Sequence, residues 1–191
     1  RRRGNGMTKG VYSRRPLCAL APLVLAACAT QQVGGGPQNA TVNRVEAYFR
    51  TVNLQDAPFT QIWPNGASGS GLITYRPGYL DMRFTTPHEM ELKASERSAV
   101  FTDAANGSVT HIGLGNSAFG MLFSNPVRLS GPVMVSDVQQ QRGLVQISLT
   151  RADNPSQGLI TLRFRDEQGA LSLYDVRILD AQRKLTQIRL D

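Results

Sequence analysis

The chain has 191 residues and a formal net charge of +7, from 21 lysines and arginines against 14 aspartates and glutamates. Six of the basic residues and none of the acidic residues precede Cys28, which leaves 15 basic and 14 acidic residues from Cys28 onward. Such a neutral chain lacks the basic surface that non-specific nucleic-acid binding requires, so a DNA or RNA partner is excluded. The length after Cys28 suits one domain with its own core.

The N-terminal segment has the layout of a lipoprotein signal peptide over residues 1–27. A basic stretch precedes an apolar run at residues 16–29, which is shorter than the roughly 20 residues that a membrane-spanning helix needs. The run ends in LAAC at residues 25–28, which resembles the bacterial lipobox, in which the cysteine is acylated and becomes the new N-terminus. Cys28 is therefore the predicted lipidation site. The alternative is an ordinary cleaved leader in which Cys28 is incidental.

A tether and then a helix are predicted after the signal peptide. Residues 28–39 are rich in glycine, glutamine and proline, a composition typical of a flexible linker. The next segment, residues 40–52, has an apolar face at helical spacing, formed by Val42, Val45, Tyr48, Phe49 and Val52. We therefore expect a helix over residues 40–52, at the start of a folded domain over residues 40–191.

The hydrophobic period then changes to two, which predicts half-buried strands. The clearest examples are YLDMRF, EMELKA, LVQISLTR and LITLRFR. Strings rich in glycine, proline and asparagine separate them at short intervals, so each strand is expected to pair with its sequence neighbour. The prediction is an antiparallel meander of ten or eleven strands, in a fold that is mainly β with helices (α+β).

The segment NSAFGMLFSNP at residues 116–126 interrupts this alternation. Its three consecutive apolar residues, 121–123, cannot all face one side of a sheet, and a proline near its end stops a helix. We therefore predict a short helix over the apolar face of the sheet. This helix either plugs the core or covers a cavity. In the same way, Met82, Met90 and Met121 either fill gaps or line an adaptable apolar cavity.

Candidate catalytic and metal-binding residues are few. The chain has two histidines, His88 and His111, no cysteine after Cys28, and no pair of histidines at metal-ligand spacing. We expect His88 in a solvated turn and His111 as a satisfied side chain on a strand. GASGSG departs from the G-x-S-x-G pattern of serine hydrolases. The sequence thus predicts neither an enzyme nor a bound metal or cofactor.

The order of these segments resembles the LolA family of periplasmic lipoprotein carriers over residues 40–191. The N-terminal helix is followed by FTQ at residues 59–61, RPG at residues 76–78, and DAQRKLTQI at residues 180–188, the last matching the family pattern D-x-x-x-x-x-T-x-I. The resemblance implies an incompletely closed antiparallel β-barrel of about 11 strands, with an N-terminal helix and a short lid helix over an apolar cavity.

In that family the cavity holds the acyl chains of a lipoprotein, and the arginine of the R-P motif holds the lid shut. Carried over, the lid latch is Arg76, whose other reading is a strand-end arginine paired with a surface carboxylate. The lid is residues 117–123, where the family's usual T-P-L motif is replaced by NSAFGMLF. The implied acyl-chain cavity comprises Trp63, Leu80, Met82, Phe84, Met90, Leu92, Phe119, Met121, Leu122 and Phe123.

The resemblance and Cys28 together predict a monomeric, anchored carrier or acceptor of acylated lipoproteins, similar to the outer-membrane receptor LolB. Ala29 after the cysteine favours the periplasmic face of the outer membrane. The implied partners are acylated lipoproteins, the inner-membrane lipoprotein-releasing transporter and an outer-membrane receptor. Two alternatives stay open: a carrier of another envelope lipid, such as a phospholipid or glycolipid, and a structural envelope lipoprotein with a filled interior.

Overall fold

The computed structural model describes residues 37–191, apart from residues 116 and 118. The predicted signal peptide, the predicted lipidation site Cys28 and most of the predicted tether lie outside the described residues. The described part consists of one α-helix, eleven strands and two short 3₁₀ helices.

Helix α1 spans Pro37–Thr51, so it begins before the predicted start at residue 40 and includes the end of the predicted tether. The proline at its first position accounts for the early start. Its fixed φ suits a helix, and the N–H that proline lacks would have no intrahelical acceptor at this position. Val45 and Phe49 are buried, as their helical spacing predicted. Neither α1 nor either 3₁₀ helix of the described part is long and apolar enough to cross a membrane.

Eleven antiparallel strands form one sheet. They are β1 (Leu54–Ile62), β2 (Ser68–Arg76), β3 (Tyr79–Thr86), β4 (Met90–Ser95), β5 (Ser98–Asp103), β6 (Ser108–Gly113), β7 (Val133–Gln141), β8 (Leu144–Arg151), β9 (Gly158–Glu167), β10 (Ala170–Asp180) and β11 (Leu185–Leu190). Their spatial order is β6-β5-β4-β3-β2-β1-β11-β10-β9-β8-β7. Because β6 and β7 are the two edges, the barrel is incompletely closed, and the predicted fold is confirmed.

The strands bury the residues that the period of two selected. In β3, Leu80, Met82 and Phe84 are buried. In β8 and β9 the inward residues are at most 2% exposed, and they are Val145, Ile147, Leu149, Ile160, Leu162 and Phe164. The core therefore lies on one face of the sheet, as expected for half-buried antiparallel strands.

Helix α1 packs on this apolar face through aromatic rings. The ring centroid of Phe164 in β9 lies 5.2 Å from that of Tyr48 and 6.3 Å from that of Phe49. Phe49 also lies 6.2 Å from Tyr75 of β2. All three pairs are edge-on, the arrangement that the ring quadrupole favours. The helix therefore bridges strands that are distant in the sheet.

Polar contacts fix α1 to the rest of the domain. The Arg44 guanidinium donates to a carboxylate oxygen of Asp166, 2.7 Å away, and to the carbonyl of Gly169 at 3.1 Å. The Glu46 carboxylate accepts a hydrogen bond from the backbone N–H of Leu129 at 2.7 Å. One helix thus holds both the β9–β10 turn and the segment that leads into β7.

The connection between the two edge strands covers the sheet. Residues 114–132 lead from β6 to β7 and contain the 3₁₀ helix Phe119–Phe123, named here the lid helix. It lies within the segment predicted to be a short helix, and it ends before the Asn125-Pro126 pair. The second 3₁₀ helix, Pro155–Gln157, belongs to the β8–β9 connection.

Candidate functional site

The lid helix presents apolar side chains to the core. Leu122 and Phe123 are buried, whereas Phe119 and Met121 are half-buried and pack against the same cluster. The rings of Phe119 and Phe123 meet edge-on at 4.9 Å. The lid helix therefore contributes to the apolar interior on this face of the sheet.

A tight turn sets the start of the lid helix. The Ser117 hydroxyl donates to the carbonyl of Leu114 at 3.0 Å and accepts from the backbone N–H of Gly120 at 3.0 Å. A Cβ on Gly120 would lie only 2.2 Å from the Leu114 carbonyl oxygen. Glycine is thus required at this position by the close approach of the backbone.

A small apolar cavity of about 50 Å³ lies beneath the lid helix. Five of the ten predicted cavity residues line it: Leu80, Met82, Phe119, Leu122 and Phe123. Residues that the sequence analysis had not selected complete the wall, and they are Phe49, Leu54, Ile73, Tyr75, Leu173, Val176, Ile188 and Leu190. Apart from the Tyr75 phenol, every side chain in this wall is apolar.

The other five predicted cavity residues lie outside this wall. Trp63 stacks on Phe84, with ring centroids 5.8 Å apart, and these two residues form a neighbouring aromatic cluster. Met90 and Leu92 are half-buried against the core. Met121 lines a different space, a cleft on the other side of the lid helix. The structure thus brings together only part of the predicted set.

One side chain ties the sheet to the lid helix. The Tyr75 hydroxyl donates to the carbonyl of Leu122, 2.6 Å away, across 47 residues of sequence. Tyr75 is 7% exposed, and burial, with a smaller contribution from Tyr48, raises its pKa well above 10.0. The phenol therefore stays protonated at neutral pH and remains a hydrogen-bond donor to the lid helix.

Arg76, the predicted latch, is the last residue of β2 and is exposed. Successive residues of a strand face opposite sides, so Tyr75 points inward, whereas Arg76 is exposed, with its guanidinium 5.0 Å from the ring centroid of Tyr79. Among the described residues, none of the lid helix accepts a hydrogen bond from Arg76. The RPG turn nonetheless approaches the lid helix, because a Cβ on Gly78 would lie 3.7 Å from the Phe123 carbonyl oxygen.

The lid helix separates two spaces. Phe119, Leu122 and Phe123 face the internal cavity, whereas Gly120 and Met121 line a surface cleft of about 440 Å³. A displacement of these five residues would therefore join the cleft to the apolar interior.

The two histidines lie at the surface. The His88 Nε2 atom is 2.9 Å from a carboxylate oxygen of Asp103, at the loop between β3 and β4. His111 is exposed on the edge strand β6. Across residues 37–191 without 116 and 118, no three histidine, cysteine or acidic side chains are placed to hold a metal ion together.

Comparison with known protein families gives one match that covers most of the chain. The family model described as "Outer membrane lipoprotein carrier protein LolA" matches residues 50–191, a range that contains every strand and the lid helix. No curated protein matches the chain in sequence. Among solved structures, the chain is similar to a LolA superfamily protein, NE2245 from Nitrosomonas europaea, with 10% identity and a TM-score of 0.39 over 80% of this chain and 90% of that chain.

Proposed function

Because the chain belongs to the LolA family of outer membrane lipoprotein carrier proteins, we propose that it binds the acyl chains of lipoproteins beneath the lid helix. In this role it is a carrier or acceptor in their localisation to the outer membrane. The observation that carries the proposal is the apolar cavity closed by a short helix, which, within residues 37–191 without 116 and 118, only the Tyr75 side chain hydrogen-bonds to the sheet. An acyl chain gains about 0.8 kcal/mol for each methylene that leaves water, so such an interior is the chemistry that a carrier needs.

The size of the cavity makes the lid helix part of the proposed binding step. The closed cavity holds about 50 Å³, whereas sites for lipid-sized or drug-sized ligands hold roughly 300–1,000 Å³. An acyl chain can therefore enter only when Phe119, Leu122 and Phe123 move out. In the empty protein these three side chains fill the interior. In the loaded form the acyl chains would take their place.

The hydrogen bond from Tyr75 suits a lid that opens. A neutral hydrogen bond of this kind contributes about 1 kcal/mol net, which the transfer of one or two methylenes offsets. The bond therefore favours the closed form without preventing loading. We propose Tyr75 as the latch residue in this chain, whereas the family resemblance indicates its neighbour Arg76, the last residue of β2.

The location of the protein is proposed from the residues before α1. We propose that residues 1–27 are a lipoprotein signal peptide, that Cys28 is acylated, and that the residues from Cys28 to the start of α1 at Pro37 tether the domain to the periplasmic face of the outer membrane. The proposed partners are acylated lipoproteins, the inner-membrane lipoprotein-releasing transporter and an outer-membrane receptor, and the proposed functional unit is a monomer that is neither an enzyme nor a nucleic-acid-binding protein.

Lipopeptide binding tests the proposal directly. The proposed mature chain, residues 28–191 carrying Cys28→Ser and secreted with a cleavable signal peptide, would be purified without detergent and mixed with a triacylated cysteinyl peptide, and the complex detected by native mass spectrometry. Trp63, the single tryptophan, supplies a fluorescence signal. A one-to-one complex with the acylated peptide, and none with the same peptide lacking acyl chains, is expected. Co-purified phospholipid without lipopeptide binding would instead support another lipid carrier, and binding of neither would leave a structural envelope lipoprotein.

A matched pair of variants locates the bound chains. Ile73 lines the cavity, whereas its neighbour Leu72 is exposed on the opposite face of β2. Ile73→Phe should weaken lipopeptide binding, because the larger ring occupies the interior, and Leu72→Phe should leave it unchanged. Equal binding by both variants would place the acyl chains elsewhere.

A further inference from the structure

The cleft outside the lid helix has the size and lining of an amphiphile site. Its volume of about 440 Å³ falls within the roughly 300–1,000 Å³ typical of small-molecule sites. Leu114, Met121 and Val133 contribute apolar surface to its wall. Leu114 is also tied to the β4–β5 turn, because its backbone N–H donates to the carbonyl of Arg97 at 2.8 Å.

The charged side chains that line the cleft are mainly basic. They are Arg97, Arg128, Arg151 and Glu96. Arg151 is already occupied, since its guanidinium pairs with the Asp153 carboxylate through an Nε–Oδ1 bond of 2.8 Å. Within the described part of the chain, neither Arg97 nor Arg128 has an ion-pair partner, and Glu96 pairs with neither of them. Two uncompensated guanidinium groups therefore remain at the cleft.

The position of the cleft relates the Arg97 and Arg128 guanidinium groups to the acyl-chain cavity. The lid helix is the partition between the cleft and the cavity, so chains that replaced Phe119, Leu122 and Phe123 would leave their head group on the cleft side. Guanidinium groups bind phosphate by paired N–H donors, with both charge and planar geometry matched. An apolar interior and a basic entrance together fit a ligand that has acyl chains and an anionic head.

We propose that the cleft binds the phosphate of an anionic phospholipid through Arg97 and Arg128, while the acyl chains of that lipid occupy the interior beneath the displaced lid helix. This inference rests on the proposed function for the acyl-chain site and adds the head group to it. It also distinguishes cargo, because the acylated cysteine of a lipoprotein carries no phosphate. Phospholipid would then be a second ligand of the same interior.

The experiment compares three soluble probes on the proposed mature chain, residues 28–191 carrying Cys28→Ser. They are dihexanoyl phosphatidylglycerol, dihexanoylglycerol with the same chains and no phosphate, and glycerol phosphate with no chains. Affinity is measured by Trp63 fluorescence and native mass spectrometry. We expect phosphatidylglycerol to bind roughly tenfold or more tightly than dihexanoylglycerol, glycerol phosphate to bind weakest, and added salt to reduce the difference.

Paired variants test the two arginines. Arg97→Gln with Arg128→Gln should remove the preference for phosphatidylglycerol and leave dihexanoylglycerol binding unchanged. The control is Arg50→Gln with Arg142→Gln, which changes the net charge equally at two exposed arginines outside the cleft. The inference is overturned if the cleft variant keeps the preference, if the control loses it equally, or if glycerol phosphate alone binds as tightly as phosphatidylglycerol.

Different binding results would overturn the head-group site and the acyl-chain carrier. Lipopeptide and dihexanoylglycerol binding without any preference for phosphate would overturn the head-group site and retain the acyl-chain carrier. Binding of none of the acylated probes would overturn both proposals. Circular dichroism of the variants checks that these surface substitutions leave the fold intact.

Discussion

Two helices cover the same apolar face of the sheet, and they are held in different ways. Helix α1 has 15 residues and polar ties to several parts of the domain, among them Arg44 to Asp166 and Glu46 to Leu129. The lid helix has five residues, and Tyr75 alone ties it by a side chain to a distant strand among the described residues. Helix α1 therefore has the contacts of a fixed cover, whereas the lid helix has few enough to suit the opening that we propose.

Burial of apolar side chains still holds the lid helix closed when no ligand is bound. Leu122 and Phe123 are 6% and 1% exposed, and exposing two such side chains costs roughly 1.5–3 kcal/mol each. A lipid that fills the vacated space restores this burial, whereas water does not. Under the proposed function, movement of the lid helix would be coupled to ligand binding, whereas α1 would stay in place and preserve the rest of the core.

The largest expected difference between the two helices is in the free energy of unfolding when one phenyl ring is removed from each. Phe49 and Phe123 are both 1% exposed. Phe49→Ala should lower the free energy of unfolding by about 3–5 kcal/mol, because α1 cannot collapse into the cavity that forms. Phe123→Ala should lower it by no more than about 2 kcal/mol, because a short segment can rearrange locally. Urea unfolding of both variants measures this, and an equal loss would contradict the distinction.

Gly120 tests whether the lid helix can be opened by itself. Gly120→Ala places a methyl group 2.2 Å from the Leu114 carbonyl oxygen, and overpacking of this kind costs about 1–3 kcal/mol. Amide hydrogen exchange across residues 119–123 should accelerate roughly fivefold or more, while exchange in α1 stays unchanged. Gly115→Ala is the control, since a Cβ there meets nothing within 4 Å. Acceleration in α1 as well would show that the two covers move together.

Removing one hydroxyl should give a smaller effect in the same direction. Tyr75→Phe keeps the buried ring and deletes the bond to Leu122, which contributes about 1 kcal/mol. Lid exchange should rise roughly fivefold, and lipopeptide affinity should increase by up to the same factor. Tyr79→Phe is the control, because the Tyr79 hydroxyl donates to none of the described residues. Unchanged exchange in Tyr75→Phe would remove Tyr75 as the latch.

The sequence predicted the sheet well because alternation is local. The inward residues of β3, β8 and β9 follow directly from a period of two. The wall of the cavity was harder to predict. Leu173 and Val176 both line it, although residues three positions apart in a regular strand face opposite sides of the sheet. A register shift between Leu173 and Asp175 interrupts the alternation of β10 there, and no residue type in the segment announces it.

The hydrogen bond between Tyr75 and the lid helix was not predicted, for a different reason. Tyr75 reaches the backbone carbonyl of Leu122, an acceptor that every residue type carries, so no sequence pattern marks the partner. The period of two does place Tyr75 on the inward face with Ile73, and this signal could have selected Tyr75 over Arg76. Whether side chains or acyl chains fill an interior was also beyond the sequence, because strand alternation is the same in both cases.

The smallest expected effect concerns a polar tie of α1. The hydrogen bond from Arg44 lowers the pKa of the Asp166 carboxyl below its usual 3.8, so the stabilisation is present above that pH and is lost as pH falls below it. Both side chains are partly exposed, and solvent screening keeps the contribution below about 1 kcal/mol. Arg44→Met should therefore be slightly less stable than the parent near neutral pH, and this deficit should shrink near pH 2.5. Arg50→Met, on the same helix, should show no such pH dependence, and a deficit for Arg44→Met that stayed constant with pH would assign the tie to the Gly169 carbonyl instead.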